Sequence, residues 1–233
     1  MSFNYIKNVG KYLCIGRNYL SHIKELNNAR PSEPFYFIKP SSSVILPGQG
    51  PMLIPKGVTA HHEVELACII GKELKNLNPE TFGPKEALDS ISGYALAIDM
   101  TARNVQDVAK SKGLPWTIGK GFDTFLPLSP FISKEKIVDP YNVKLRLNIN
   151  GESKQDDMTN LMIFPIHQFL SSMSSVMTIQ PGDVILTGTP KGVGPVNPGD
   201  VVEAWCEVDG KVVDESQLKF DVEEKPGPYC FKG

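Results

Sequence analysis

Residues 60–66 read AHHEVEL, which sets His61, Glu63 and Glu65 at alternate positions before a run that continues apolar as LACII. On a strand, alternate side chains share a face, so an imidazole and two carboxylates are gathered on a segment that otherwise reads as buried. Close carboxylates repel unless something positive lies between them. Asp99 stands near the end of a second apolar run, GYALAIDM at 93–100, where an ionised group is out of place unless paired. Together Glu63, Glu65 and Asp99 would offer oxygen donors alone, a set that suits Mg²⁺, Mn²⁺ or Ca²⁺ rather than zinc. Such a set leaves positions open for water or substrate, as a catalytic metal requires. The competing reading puts Glu63 and Glu65 on the solvated face of an antiparallel strand, since alternation alone means no more than that.

Other chemistry-bearing residues gather nearby in sequence. Arg103 and Gln106 follow Asp99 at helical spacing and share one face, whereas Lys110 reads as a surface group. Lys120 lies in IGKGFDTF, a Gly-flanked loop that could carry an ammonium to a substrate. His22 and Glu25 are three residues apart on a predicted helix, near enough to meet. Taken alone, that spacing describes a surface pair worth about 0.5 kcal/mol or less.

The elements that must position these groups follow from punctuation and period. Nineteen prolines and twenty glycines favour many short strands over long helices. IKNVGKYLCIG (6–16) reads as a strand, NYLSHIKELNN (18–28) as a helix with Leu20, Ile23 and Leu26 apolar, and FYFIKPSSSVI as a strand interrupted at Pro40. EVELACIIG (63–71) is the strongest strand signal, PKEALDSI (84–91) a short helix, and GYALAIDM a buried strand. TARNVQDVAKSKG (101–113) reads as a helix capped by Thr101 and stopped by Gly113. KLRLNING (144–151) alternates and turns at Asn150-Gly151. A repeated device, QPGDVILTG at 180–188 and NPGDVVEAW at 197–205, sets a PGD turn before a strand. No linker or longer repeat interrupts these elements, so one domain over 1–233 is expected.

Composition removes several function classes. The net charge is −2, with basic residues mixed among acidic ones, so no stripe points to nucleic acid. No apolar run approaches the ~20 residues needed to cross a bilayer. Cys14, Cys68, Cys206 and Cys230 are far apart with no CxxC pair, which argues against structural zinc and for a reduced intracellular compartment. Before Glu25 there is no acidic residue, while Lys7, Lys11, Arg17 and Lys24 give a composition resembling a mitochondrial transit segment. Without an Arg-rich amphipathic helix, the expectation is a folded N-terminal part and no cleaved presequence of normal length.

Six stretches in order, GRNYLSHIKE, IKPSSS, HHEVELACIIGK, AIDMTARNVQD, KGLPWTIGKGFDTF and LTGTPKGVGPVNPGD, closely resemble motifs of the fumarylacetoacetate hydrolase family. The match is to its short single-domain branch, which includes acylpyruvases and oxaloacetate decarboxylases or tautomerases. The resemblance implies an α+β, predominantly β fold, a β-sandwich roll with a few short helices, and a homodimer. It implies Mg²⁺, with Mn²⁺ as substitute, on Glu63, Glu65 and Asp99. It implies His22 and Glu25 as a catalytic dyad aided by Lys120, with Arg17, Arg103, Gln106 and Thr189 contacting substrate. The GTPKGVG loop is not GxxxxGK[ST], so nucleotide binding is rejected.

The substrates so implied are small 2-oxo acids that react through an enolate. Hydrolysis of an acylpyruvate, decarboxylation of oxaloacetate and keto–enol tautomerisation of oxaloacetate would all use the same groups. Oxaloacetate tautomerisation is the expected activity, acylpyruvate hydrolysis the next, in mitochondria or alternatively in the cytoplasm. The helix carrying His22 and the ARPSEP segment after it are candidates for a lid. A catalytically silent structural dimer is the competing class, and the intact dyad and triad speak against it.

Overall fold

In a computed structural model, described for residues 2–25, 27 and 29–233, the chain forms two large sheets with a few short helices. The Val- and Ile-rich run becomes strand Val64–Ile70, with every side chain buried. It sits third in a six-stranded sheet ordered Ile132–Ser133, Ile91–Ile98, Val64–Ile70, Val184–Leu186, Tyr12–Gly16 and Phe35–Lys39. Tyr12–Gly16 runs parallel to Val184–Leu186, and the other pairings are antiparallel. The second sheet is ordered Glu152–Met158, Lys144–Ile149, Val201–Val208, Leu218–Glu224 and Met52–Ile54, with Lys211–Val212 beside Val201–Val208.

The two faces of Val64–Ile70 meet different partners. Leu66, Cys68 and Ile70 face the second sheet, whose Leu145, Leu147, Val202, Ala204 and Phe220 close a large apolar core with helix Ile166–Val176. A Leu66→Ala cavity in such a core costs roughly 2–5 kcal/mol. Ala67 and Ile69 face away, into a smaller cluster with Cys14, Ala95, Ala97 and Leu186. Period two places Glu65 next along that second face. Small side chains leave room there for a polar site.

Several sequence expectations are corrected by neighbours. Residues 6–8 lie in a 3-10 helix, Asn4–Asn8, and the strand starts at Tyr12. The helix at 18–28 is Leu20–Glu25, with Leu20 exposed, while Leu26 and Asn28 lie outside the described residues. His61 does not share a strand with Glu65. The chain breaks at Glu63, and Ala60–His62 joins a small sheet with Gly194–Val196 and Thr101–Ala102. Thr101 therefore pairs with His61 instead of capping the next helix, Arg103–Ser111, and its hydroxyl donates to the Asp99 carbonyl at 3.2 Å. Lys120 ends a short helix, Thr117–Lys120, where a loop was expected. Helix Ile166–Val176 was not expected, although Ile166, Phe169, Leu170 and Met173 follow helical spacing. By contrast, Pro84–Ser90 and the Asn150-Gly151 turn, with both φ positive, match the reading.

Candidate active site

Antiparallel pairing brings the three carboxylates together. Val64 lies opposite Ile98 and Glu65 opposite Ala97, and the Asp99 amide donates to the Glu63 carbonyl at 2.7 Å. That register puts Asp99 beside Glu63. Oxygen atoms of Glu63, Glu65 and Asp99 lie within 4.8 Å of one another, and all three residues are buried.

Three cations serve this cluster. The Lys120 ammonium donates to Glu63 Oε2 at 2.8 Å and to Asp99 Oδ2 at 2.6 Å. Lys39, fully buried, donates to Asp99 Oδ1 at 2.6 Å and to the Met100 carbonyl at 3.0 Å. Arg103 pairs with Glu63 through one terminal nitrogen and donates to Gln106 Oε1 at 2.9 Å through the other. Glu65 is the exception: its Oε2 accepts the Gly188 amide at 2.6 Å, and no cation pairs with it among the described residues.

The electrostatics follow that division. Burial raises the Glu63 carboxyl, but Lys120 and Arg103 outweigh it and hold the group well below the usual range. Burial pushes Glu65 well above that range, and Asp99 and Glu63 push it further. Burial would depress Lys120, yet Asp99 and Glu63 reverse the shift and raise it. An uncompensated buried carboxylate beside two others is what a hard divalent cation on oxygen ligands relieves. The donor set therefore fits such an ion.

His22 and Glu25 stand over the same cavity on the short helix. Asn18 anchors the approach to that helix, donating to the Phe164 and Thr187 carbonyls at 3.2 and 2.9 Å and accepting the Phe164 amide at 2.7 Å. His22 Nδ1 is 3.5 Å from Glu25 Oε2, close enough for orientation but long for a hydrogen bond. Glu25 also accepts the Gly192 amide, at 3.0 and 3.2 Å to its two oxygens. Burial depresses His22 below the ordinary imidazole value, so it is neutral near pH 7.

One cavity is lined by His22, Arg17, Thr189, Arg103, Gln106 and Lys120 together with the three carboxylates. Glu25 lies behind His22 and His61 stays outside, its Nδ1 accepting from Arg103 Nε at 3.4 Å. Lys110 lines the cavity too, contrary to its reading as a surface group. Thr189 is tied down on both sides: its hydroxyl donates to the Val64 carbonyl at 2.8 Å and accepts from Gln155 Nε2 at 2.8 Å.

Gln155 is a residue the sequence reading missed. Fully buried among polar neighbours on strand Glu152–Met158, it accepts the Val64 amide at 3.0 Å and donates to the Pro190 carbonyl at 3.0 Å. Its Oε1 also accepts from His62 Nδ1 at 3.0 Å, which fixes the His62 proton on that nitrogen. It thus fastens the 187–192 loop to the strand carrying Glu65. In that loop Gly188 and Gly192 have φ of 94° and 91°. A Cβ on Gly192 would sit 2.0 Å from the Lys154 carbonyl oxygen, so glycine is required where the amide meets Glu25.

A β-rich fold holding a buried oxygen-only cluster beneath an imidazole–carboxylate pair defines a class of enzyme with a cation-binding site. The chain belongs to the fumarylacetoacetate hydrolase family and is an enzyme: the family model described as "Fumarylacetoacetate (FAA) hydrolase C-terminal" matches residues 11–215. The mitochondrial oxaloacetate tautomerase FMP41 of Saccharomyces cerevisiae is 47% identical over 266 aligned positions, covering 100% of this chain and 99% of the relative. The crystal structure of yeast ynq8, described as a fumarylacetoacetate hydrolase family protein, is 44% identical with a TM-score of 0.90, covering 100% of both chains. A fumarylpyruvate hydrolase of Pseudomonas aeruginosa, solved with Mn²⁺ and pyruvate, is 30% identical with a TM-score of 0.80, covering 93% of this chain and 91% of that one.

Proposed function

We propose that this chain is a Mg²⁺-dependent oxaloacetate keto–enol tautomerase of one catalytic domain, able also to cleave acylpyruvates at the same site. The observation that carries the reading is the charge of the cavity. Glu63, Glu65 and Asp99 face Lys39, Arg103 and Lys120, three negative groups against three positive. A divalent cation on the carboxylates gives this ion-paired cluster two net positive charges, and Arg17 and Lys110 on the cavity wall add to them. A small dicarboxylate such as oxaloacetate supplies the matching anion.

When bound on Glu63, Glu65 and Asp99, Mg²⁺ or Mn²⁺ supplies Lewis-acid polarisation of a 2-oxo carboxylate. The chain's own groups do the rest. Lys120 and Arg103 hold fixed positive charge where negative charge grows on the substrate. Gln106, Arg17 and Thr189 position it. His22 keeps its Nδ1 proton toward Glu25, which leaves the Nε2 lone pair to take a proton from C3 or, once protonated, to return it. Enol-to-keto conversion then needs one proton delivered to C3 and one lost from the enol oxygen. For an acylpyruvate, the same nitrogen takes a proton from the attacking water, and the carbon–carbon bond breaks to give pyruvate and the acid.

Tautomerisation is placed first because it asks only for proton movement, and the tautomerase name of the yeast relative supports it. Acylpyruvate cleavage is supported by the fumarylpyruvate hydrolase relative. Mitochondrial residence rests on the same yeast relative's name. A homodimer fits the exposed apolar side chains Ile38, Leu114 and Ile118.

The test is conversion of enol-oxaloacetate and cleavage of acetylpyruvate by the same preparation, each against a Mg²⁺-only background. Enol conversion well above background and faster than cleavage supports the reading. Enol conversion at background with brisk cleavage would make this enzyme primarily a hydrolase.

A further inference from the structure

The cations around the cavity fall into two sets. Lys39, Lys120 and the Arg103 guanidinium are committed to the buried carboxylates of Glu63 and Asp99. Arg17 and Lys110 are not, yet both line the same cavity. Arg17 makes no ion pair among the described residues; its guanidinium lies over the Phe35 ring, 5.6 Å from the centroid. It adopts φ of +55°, in the left-handed region a non-glycine residue enters at a cost. Lys110 packs its ammonium 5.5 Å from the Trp116 ring centroid and, among the described residues, pairs only with Asp107 at 3.3 Å, a side chain 59% exposed.

Helix geometry explains how Lys110 reaches the site. Arg103, Gln106 and Lys110 are spaced i, i+3 and i+7, so all three lie along one face. Side chains on a helix lean toward its N-terminus, which aims Lys110 back over the turn that carries Gln106. Arg103 marks the carboxylate end of this row, and Lys110 stands about 10 Å further along the axis. Because the Lys110 side chain leans back toward Gln106, its end lines the same cavity as Glu63, Glu65 and Asp99, where a short dicarboxylate held at the carboxylate end turns its second carboxylate toward it.

We propose that Lys110, seconded by Arg17, recognises the distal carboxylate and so selects dianionic 2-oxo acids over monoanionic ones. The inference rests on the 2-oxo-acid reading above and adds the substrate end that reading left open. The partnership with Asp107 is a weak one, since an exposed pair contributes about 0–1 kcal/mol. A bound carboxylate can replace it. The Trp116 ring lies under the Lys110 ammonium, so the ammonium is partly ordered before substrate arrives.

The experiment uses Lys110→Met, which keeps a side chain of similar length without the charge, and Lys110→Arg, which keeps the charge. Each is compared with the parent by calorimetric binding, in Mg²⁺, of two inert probes of equal length, malate and 2-hydroxybutyrate. They differ in a distal carboxylate against a methyl group. Lys110→Met should weaken malate roughly tenfold and leave 2-hydroxybutyrate within twofold, with Lys110→Arg restoring most of the loss. In turnover, KM for oxaloacetate should rise while kcat changes little, and KM for acetylpyruvate should rise far less. Equal weakening of both probes, or of neither, overturns the proposal. A parent that binds malate tightly but converts no oxaloacetate would overturn the tautomerase reading instead and leave the distal-carboxylate assignment standing.

Discussion

Two turns in the molecule are built alike and lead to different ends. At 180–183 and at 197–200 a PGD sequence places glycine at φ of 94° and 95°. In each the aspartate amide donates back three residues, to Gln180 and Asn197, at 3.0 and 3.1 Å. In each the glycine amide and aspartate carbonyl bond the neighbouring strand, through Ile70 in one and Val222 in the other. Beyond the turns the likeness stops. Val184–Leu186 is buried on both faces and runs into Gly188, whose amide meets Glu65. Val201–Val208 alternates between buried and half-buried positions and carries Glu203 and Trp205 on its outer face. The same local chemistry makes the turn twice. What each strand is for depends on its neighbours across the sheet.

That contrast is tested most severely by one carboxylate at each strand. Glu65→Gln, beside the first, should abolish turnover, by 10³-fold or more, with circular dichroism unchanged. Glu203→Gln, on the second, removes only a pair with Lys219 at 2.9 Å on the surface, so activity should be unchanged and stability within about 0.5 kcal/mol. Equal effects from the two substitutions would contradict the assignment of the site.

His22→Ala comes next. Loss of a general base costs typically 10²–10⁴-fold, while cation binding should persist because His22 is not among the proposed ligands. Since burial lowers the His22 pKa, the parent should keep its rate down through about pH 6.5 and lose it below as the imidazole takes a proton. An acid limb that persists unchanged in the residual activity of His22→Ala would remove His22 from that role.

Gln155→Leu sharpens the comparison from the second sheet. It leaves the Val64 amide and the 187–192 loop without their shared partner, so stability should fall by about 1–3 kcal/mol and kcat by roughly tenfold. Thermal melts and kcat measured together would check this, and an unchanged kcat would make Gln155 structural only. A last pair, read in stability rather than activity, separates the turns themselves. Asp183 is fully buried, accepts the Lys11 and Gln180 amides at 3.0 and 2.7 Å, and pairs with the Lys11 ammonium. Asp183→Ala should cost about 3 kcal/mol, against about 1 kcal/mol for half-buried Asp200→Ala, whose activity should stay at the parent level.

Legibility in the sequence followed the range of the forces involved. Local signals were readable: the alternation of Lys144–Ile149, the Asn150-Gly151 turn and the apolar runs that became the central strands. The carboxylates were readable because charges in apolar runs demand an explanation. Lys39 was not, since a lysine before a proline reads as an exposed strand end, and only its bonds to Asp99 and the Met100 carbonyl show it turned inward. Gln155 was hidden because residues 152–157, ESKQDD, are all polar, so nothing around it marks the position that faces the core. Lys110 carries an aspartate three residues earlier, the ordinary mark of a solvated helix face, and only tertiary packing turns that face to the cavity. Helix Ile166–Val176 had its apolar spacing in view, but a serine-rich stretch of modest helix propensity masked it.

The central claim is that Glu63, Glu65 and Asp99 hold a divalent cation on which turnover depends. Mn²⁺ binding to chelator-stripped protein, followed by electron paramagnetic resonance alongside enol-oxaloacetate conversion, tests it most directly. The account predicts one tight site per chain, activity absent in the stripped enzyme and restored in step with occupancy, and both lost together in Glu65→Gln. Full activity in stripped protein, or unchanged Mn²⁺ binding in Glu65→Gln, would contradict it.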